Sequence, residues 1–294
     1  MRKNMIAIIG IIVVFGAVVA GYLMEKGNML VLLQPAELVI IGGAALGTIL
    51  IANPLHILKS IIGGITEVIK GSKYTSQRYL DSLKMLYDLL NGARRGGLAA
   101  IENDFEQPEN SKIFSAYPAI AKSPHVLHFI CDTLRTASIG TIEPFDLDQM
   151  MELDMDVHHH ETSLPITALS TTADSLPGLG IVAAVLGVVV TMGALGGPPE
   201  EIGHKVAAAL VGTFLGILLC YGLLGPIASH MAKLADDEKS YFNVLRVCIT
   251  SFVKGNPPIL AVEMARRAVP GRVRPTYHAL ESLCRAKDSQ AVAA

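Results

Sequence analysis

LPGLGIVAAVLGVVVTMGAL, residues 176–195, is a run of apolar and small residues without a single charge. A helix needs roughly 20 mainly apolar residues to cross the hydrocarbon of a bilayer, so this stretch reads as a membrane span and sets the fold class. Three more stretches meet the criterion: Met5 to Met24, Leu38 to Ala52 and Val206 to Ala228. The second is the shortest, with Pro35 and Glu37 marking an interfacial start. Composition agrees, since 51% of the residues are hydrophobic, only 17% are charged, and the apolar residues fall in long runs.

Arg2 and Lys3 precede the first span, which is too long for a signal-peptide core and has no small-residue cleavage site after it; it reads as a retained helix. Arg2, Lys3, Lys59, Lys70, Lys73, Lys233 and Lys239 fall on one side of the spans, against Lys26 and Lys205 on the other. The positive-inside rule then places both termini in the cytoplasm. The expected organisation is an all-α membrane protein: spans 1 and 2 in 1–54, a large helical cytoplasmic domain in 55–175, spans 3 and 4 in 176–228, and a helical cytoplasmic tail in 229–294.

No β-type alternation appears in the cytoplasmic part. Leu83, Leu86, Tyr87 and Leu90 recur at helical spacing, Leu98, Ile101 and Phe105 repeat the pattern after Gly96 and Gly97, and a third helix runs from Pro124 towards Gly140. From Pro144 a long helix is expected to continue into the third span, and Ala232 to Thr250 to extend the fourth.

Several function classes drop out. The four cysteines are widely separated, with neither a disulfide framework nor zinc spacing. A net charge of -2 without a basic stripe gives no footprint for nucleic acid. There is no P-loop, Gly-x-Ser-x-Gly elbow or zincin motif, so no catalytic residues, cofactor or enzyme activity are expected. Consecutive helical residues point about 100° apart, so His158, His159 and His160 make a poor metal chelate and read as a solvated helix face.

Small residues recur three and four apart in the third span, at Gly180, Ala183, Ala184, Gly187 and Thr191, and the fourth has Gly212, Thr213, Gly216, Cys220, Gly222 and Gly225. Such faces serve tight helix packing or line a pore, and both uses stay open. Pro177 opens the third span and Pro226 closes the fourth, two bends that suit a hinge. Thr191, Thr213 and Tyr221 are sparse polar groups among apolar ones. Within the spans as bounded above there is no Asp, Glu or His, the groups a proton path uses; Glu37 and Asp174 sit at span ends, where interfacial solvation accounts for them. The chain alone then reads as no ion conductor, or as the shell of one.

Gln34-Pro35-Ala36-Glu37-Leu38-Val39-Ile40-Ile41, Asp174-Ser175-Leu176-Pro177 and Val211-Gly212-Thr213-Phe214-Leu215-Gly216 closely resemble the MotA/PomA family of flagellar motor stator subunits, distant relatives of ExbB and TolQ. Ser72-Lys73-Tyr74-Thr75, Tyr117-Pro118 and Pro257-Pro258 extend the likeness over nearly the whole chain. The resemblance implies a ring, five copies around two of the single-span partner MotB, which supplies the membrane Asp and a wall-binding domain. Ions would pass beside spans 3 and 4, and torque would act on the rotor protein FliG. It further implies conformational coupling at Pro177 and Pro226 and rotor contact at Arg94 and Glu102, with Arg95 able to share the role of Arg94. Asp154 stands where relatives carry Glu. Sodium-driven relatives tend to carry Thr where this chain has Ala184, so a proton is the expected ion, with Thr213 left to hydrogen-bond it. An ExbB/TolQ-like energising subunit, which would have three spans, and a passive scaffold are the alternatives.

Overall fold

The computed structural model describes residues 6–140, 142–193 and 196–292, and among them no strand forms. Arg2, Lys3 and Met5, and residues 194–195 at the end of the expected third span, lie outside the described residues. Helices α1 (Ile6–Met24), α2 (Met29–Leu32), α3 (Pro35–Ala52) and α4 (Leu55–Lys70) come first. They are followed by α5 (Ser76–Gly96), a 3-10 turn (Leu98–Ile101), α6 (Glu102–Glu106), α7 (Lys112–Ser115), α8 (Pro118–Ala121) and α9 (Pro124–Ser138). The chain continues through α10 (Pro144–Met192), α11 (Pro199–Leu219), a π-helical turn (Cys220–Leu224), α12 (Gly225–Val253), α13 (Pro258–Ala268) and α14 (Tyr277–Val292).

Local chemistry sets these boundaries. Pro35 and Pro124 occupy first-turn positions, where a missing N–H costs nothing. Thr75 caps α5 by accepting from the Arg78 N–H, and Gly97, at φ 76°, ends it in the left-handed region that glycine tolerates. Four helical stretches are long and apolar enough to cross a membrane: Ile6–Met24, Met29–Ala52, Pro144–Met192 and Pro199–Val253. Helix α1 buries none of its apolar residues within the chain, which fits a surface made for lipid or another subunit.

The chain divides into two compact units. The first comprises the residues up to Gly71 with Glu161–Leu234, and the second Ser72–His160 with Ala235 onward. In the first, Ile41, Ala45, Ala173, Leu176, Ala183 and Cys220 form one buried cluster. A second cluster joins Ile57, Ile61 and Val68 of α4 to Ala168, Leu169, Ala228 and Met231. Helix α4 is amphipathic in a particular way: Ile57, Ile61 and Val68 face this core, while Leu55, Ile62 and Ile69, spaced seven apart, are exposed beside the likewise exposed Lys59 and Lys70. An uncovered apolar stripe flanked by lysines is the pattern of a helix lying in a membrane interface.

The second unit has one core, built from α5 (Leu83, Leu86, Leu90), α9 (Ile130, Leu134), α12 (Tyr241, Leu245, Ile249) and α13 (Ala261, Val262). The Tyr241 hydroxyl, wholly buried, is satisfied by Ser82 at 2.6 Å. All four cysteines are buried and none is in a disulfide.

Candidate functional site

The glycines of α10 and α11 meet along a seam. A Cβ on Gly216 would lie 2.5 Å from the Leu176 carbonyl oxygen and 3.0 Å from Gly180 Cα, and one on Gly180 would lie 2.8 Å from the Gly212 carbonyl oxygen. At Gly187 the clash would be with Ala209, whose Cβ would lie at 2.6 Å and Cα at 2.9 Å. Backbone therefore touches backbone, and of the two uses left open by the sequence these glycines serve tight packing. Thr213 and Ala184 lie next to seam residues, each half-buried. Thr191 is buried and spends its hydroxyl on the Gly187 carbonyl at 2.8 Å. Tyr221 is 71% exposed on the surface of the chain.

The prolines behave differently from simple span ends. Helix α10 runs unbroken through Pro165 and Pro177, so Pro177 lies inside a helix that continues past it on both sides. It lacks the N–H that would bond the Ala173 carbonyl. Pro226 follows the π turn, in which the Gly225 N–H reaches five residues back to the Cys220 carbonyl. The wider turn accommodates the ring and the lost bond without ending the helix, and such turns recur at functional sites.

Glu37 corrects the sequence expectation. Its carboxylate is not solvated at a span end: the residue lies inside α3, is only 6% exposed, and its Oε2 is buried without a hydrogen-bond partner. A Cβ on Gly212 would come within 2.5 Å of that oxygen and 3.1 Å of Ala183 Cβ, so the missing side chain at 212 makes the room the carboxyl occupies. The first unit thus contains a buried acid among its apolar helices. Hydropathy placed the span start at Leu38 and could not see that α3 begins at Pro35 and packs against α11. Asp174, by contrast, is exposed, in keeping with a solvated end.

In the second unit Arg94, Arg95 and Glu102 are all exposed, at the end of α5 and the start of α6 across the 3-10 turn. Asp154 is exposed and borders a cavity of about 220 Å³ lined also by His125, His128, Phe129, Asp132, Met155, His158 and Phe242. His158 is not on a solvated face: its ring packs 4.9 Å from that of His125 and 5.2 Å from that of Phe242. Its Nε2 lies 3.7 Å from Glu238 Oε2. Tyr74 donates to Glu238 Oε1 at 2.6 Å, and Lys73 Nζ is 3.5 Å away. Burial alone would raise the Glu238 carboxyl, but His158, Lys73 and Tyr74 outweigh it and hold it at about 2. Burial and the same carboxylate push the Tyr74 phenol far up.

Four apolar helices, two of them in backbone contact beside a buried acid, define a membrane-spanning subunit. Residues 124–243 match the MotA/TolQ/ExbB proton channel family, and residues 8–97 match the Motility protein A N-terminal family. Motility protein A of Escherichia coli is 38% identical over 96% of both chains. Chemotaxis protein LafT of Vibrio parahaemolyticus is 35% identical over 93% of this chain and 96% of its own. The chain belongs to the motility protein A family. Its fold is that of the solved C. jejuni MotAB structure, with a TM-score of 0.76 at 18% identity, covering 94% of this chain and all of that one. The Bacillus subtilis MotAB stator complex gives 0.71 at 23% identity, over 91% and 96%.

Proposed function

We propose that this chain is the membrane stator subunit of a flagellar motor, which with a single-span MotB-type partner forms a proton path and converts the flow into torque. The observation that carries this is the likeness to motility protein A over nearly the whole chain together with the proton channel family match over 124–243, and the packed seam of α10 and α11 sets Thr213 and Ala184 beside it. The partner contributes the membrane Asp. Several copies, five by family likeness, form the ring. Both termini face the cytoplasm, with Arg94, Glu102 and Asp154 meeting the FliG-type rotor protein, and their exposure suits that role. Pro177 and Pro226 interrupt the hydrogen-bond ladder within the spans and supply the compliance that coupling needs. Each proton crossing down the membrane potential releases about 2.3 kcal/mol per 100 mV.

The family match over 124–243 embraces TolQ and ExbB as well, but the match over 8–97 is to motility protein A and favours the motor over their energising role. Proton uptake by vesicles carrying the chain with and without its partner tests the proposal. Flux that needs both chains is expected, and a Pro177→Leu variant should assemble with the partner yet fail to drive swimming. Absence of flux from the complex would leave a passive scaffold; normal swimming of Pro177→Leu would refute the coupling role.

A further inference from the structure

We infer that Glu37 is itself a proton-exchanging group of the ion path, so that this chain brings a titrating site of its own; the inference rests on the channel function proposed above. The residue is 6% exposed, its Oε2 is enclosed, and no hydrogen bond satisfies that oxygen. It sits against Gly212 and near Ala183, the immediate chain neighbours of Thr213 and Ala184. One buried acid therefore adjoins both spans, one residue along the chain from each of the two positions that the family likeness gives to the ion.

A structural role does not account for this placement. An acid in the first turn of α3 is favoured by the helix dipole, but a carboxylate pointing into water serves that purpose as well and avoids desolvation. Burial of an ionisable group without a partner among apolar helices is costly, and such groups mark proton and ion pathways. Gly212 holds the space open: any side chain there would strike Oε2.

The step is a plain proton relay. A hydronium ion reaching the seam gives its proton to the Glu37 carboxylate and leaves as water. The resulting carboxylic acid passes the same proton to the next base, the carboxylate brought by the single-span partner, and is restored to its starting form.

The test uses the complete complex of this chain with its partner in proteoliposomes, with proton flux recorded across a pH series. Glu37→Gln keeps the shape and removes the exchangeable proton, and should cut flux by about a hundredfold, the scale of a lost acid–base group. Glu37→Asp should keep conducting, with its flux–pH profile displaced from that of the wild type. A Glu37→Gln complex that conducts within about twofold of the wild type, or a Glu37→Asp profile that superimposes on it, overturns the inference while leaving the channel function standing. A wild-type complex without flux defeats both. Should Glu37→Gln fail to assemble, the Glu37→Asp profile decides alone.

Discussion

Gly216→Ala adds one methyl group at the closest point of the seam, and its cost can be worked from the contacts. The new Cβ would stand 2.5 Å from the Leu176 carbonyl oxygen, 3.0 Å from Gly180 Cα and 3.2 Å from the Leu176 carbonyl carbon. All three are backbone atoms of α10, so no rotamer change relieves the overlap and the two helices must separate. Overpacking costs about 1–3 kcal/mol, and contact with rigid backbone puts this site at the upper end. Alanine returns about 1 kcal/mol through its better helix propensity. The net loss is about 2 kcal/mol, about a thirtyfold fall in the folded ratio. Gly178→Ala is the internal control, because nothing lies within 4 Å of its Cβ and only the propensity gain remains. Thermal unfolding of the detergent-purified chain should therefore lower Tm by about 5 °C for Gly216→Ala and leave it level or raised for Gly178→Ala. Equal Tm values for the two variants would refute backbone contact along the seam.

The Glu238 cluster sets an acid limit on the second unit. Its folded value of about 2 lies below the ordinary 4.5, so its stabilisation is complete above the ordinary value and drains away as pH falls from there through about 2. The shift corresponds to at most about 3 kcal/mol, and denaturant titrations should show Glu238→Gln weaker than wild type at neutral pH, with a flatter slope in acid. The chain has no Trp, so single replacements can report where α4 lies. Ile62→Trp should be quenched by lipid-borne quenchers and Lys59→Trp far less; equal quenching would remove α4 from the interface. Pro226→Ala restores an N–H able to bond the Gly222 carbonyl, so spin labels flanking Cys220–Leu224 should move as the π turn relaxes, with swimming impaired. Unchanged label distances would show that the turn does not depend on the proline.

Hydropathy made the four spans legible because each is a contiguous apolar run, and the small-residue spacing at Gly180, Gly187, Gly212 and Gly216 marked the faces that meet. Helix α4 was not set apart, because Lys59 and Lys70 dilute any average taken over it, although its apolar residues at 55, 62 and 69 carry the signal. Glu37 was misjudged for a similar reason: a window treats a charge as an edge, whereas the helix starts at Pro35 and carries the acid inward against a glycine 175 positions away in sequence numbering. The environment of His158 depends on His125, Phe242 and Glu238 from two other helices, partners that local spacing cannot supply. The π turn has no period of its own to read; only Pro226 hinted at it.

The π turn also acts as a phase shifter. A turn closed by a bond five residues back holds one residue more than an α-helical turn, and each residue adds about 100° of rotation. A helical wheel drawn from α11 straight into α12 therefore assigns the downstream side chains to the wrong azimuth. Deleting a single residue between Cys220 and Leu224 would let this turn close as an ordinary α-helical one and leave every later face of α12 at its present azimuth, whereas deleting one from an α-helical turn would swing those faces by about 100°.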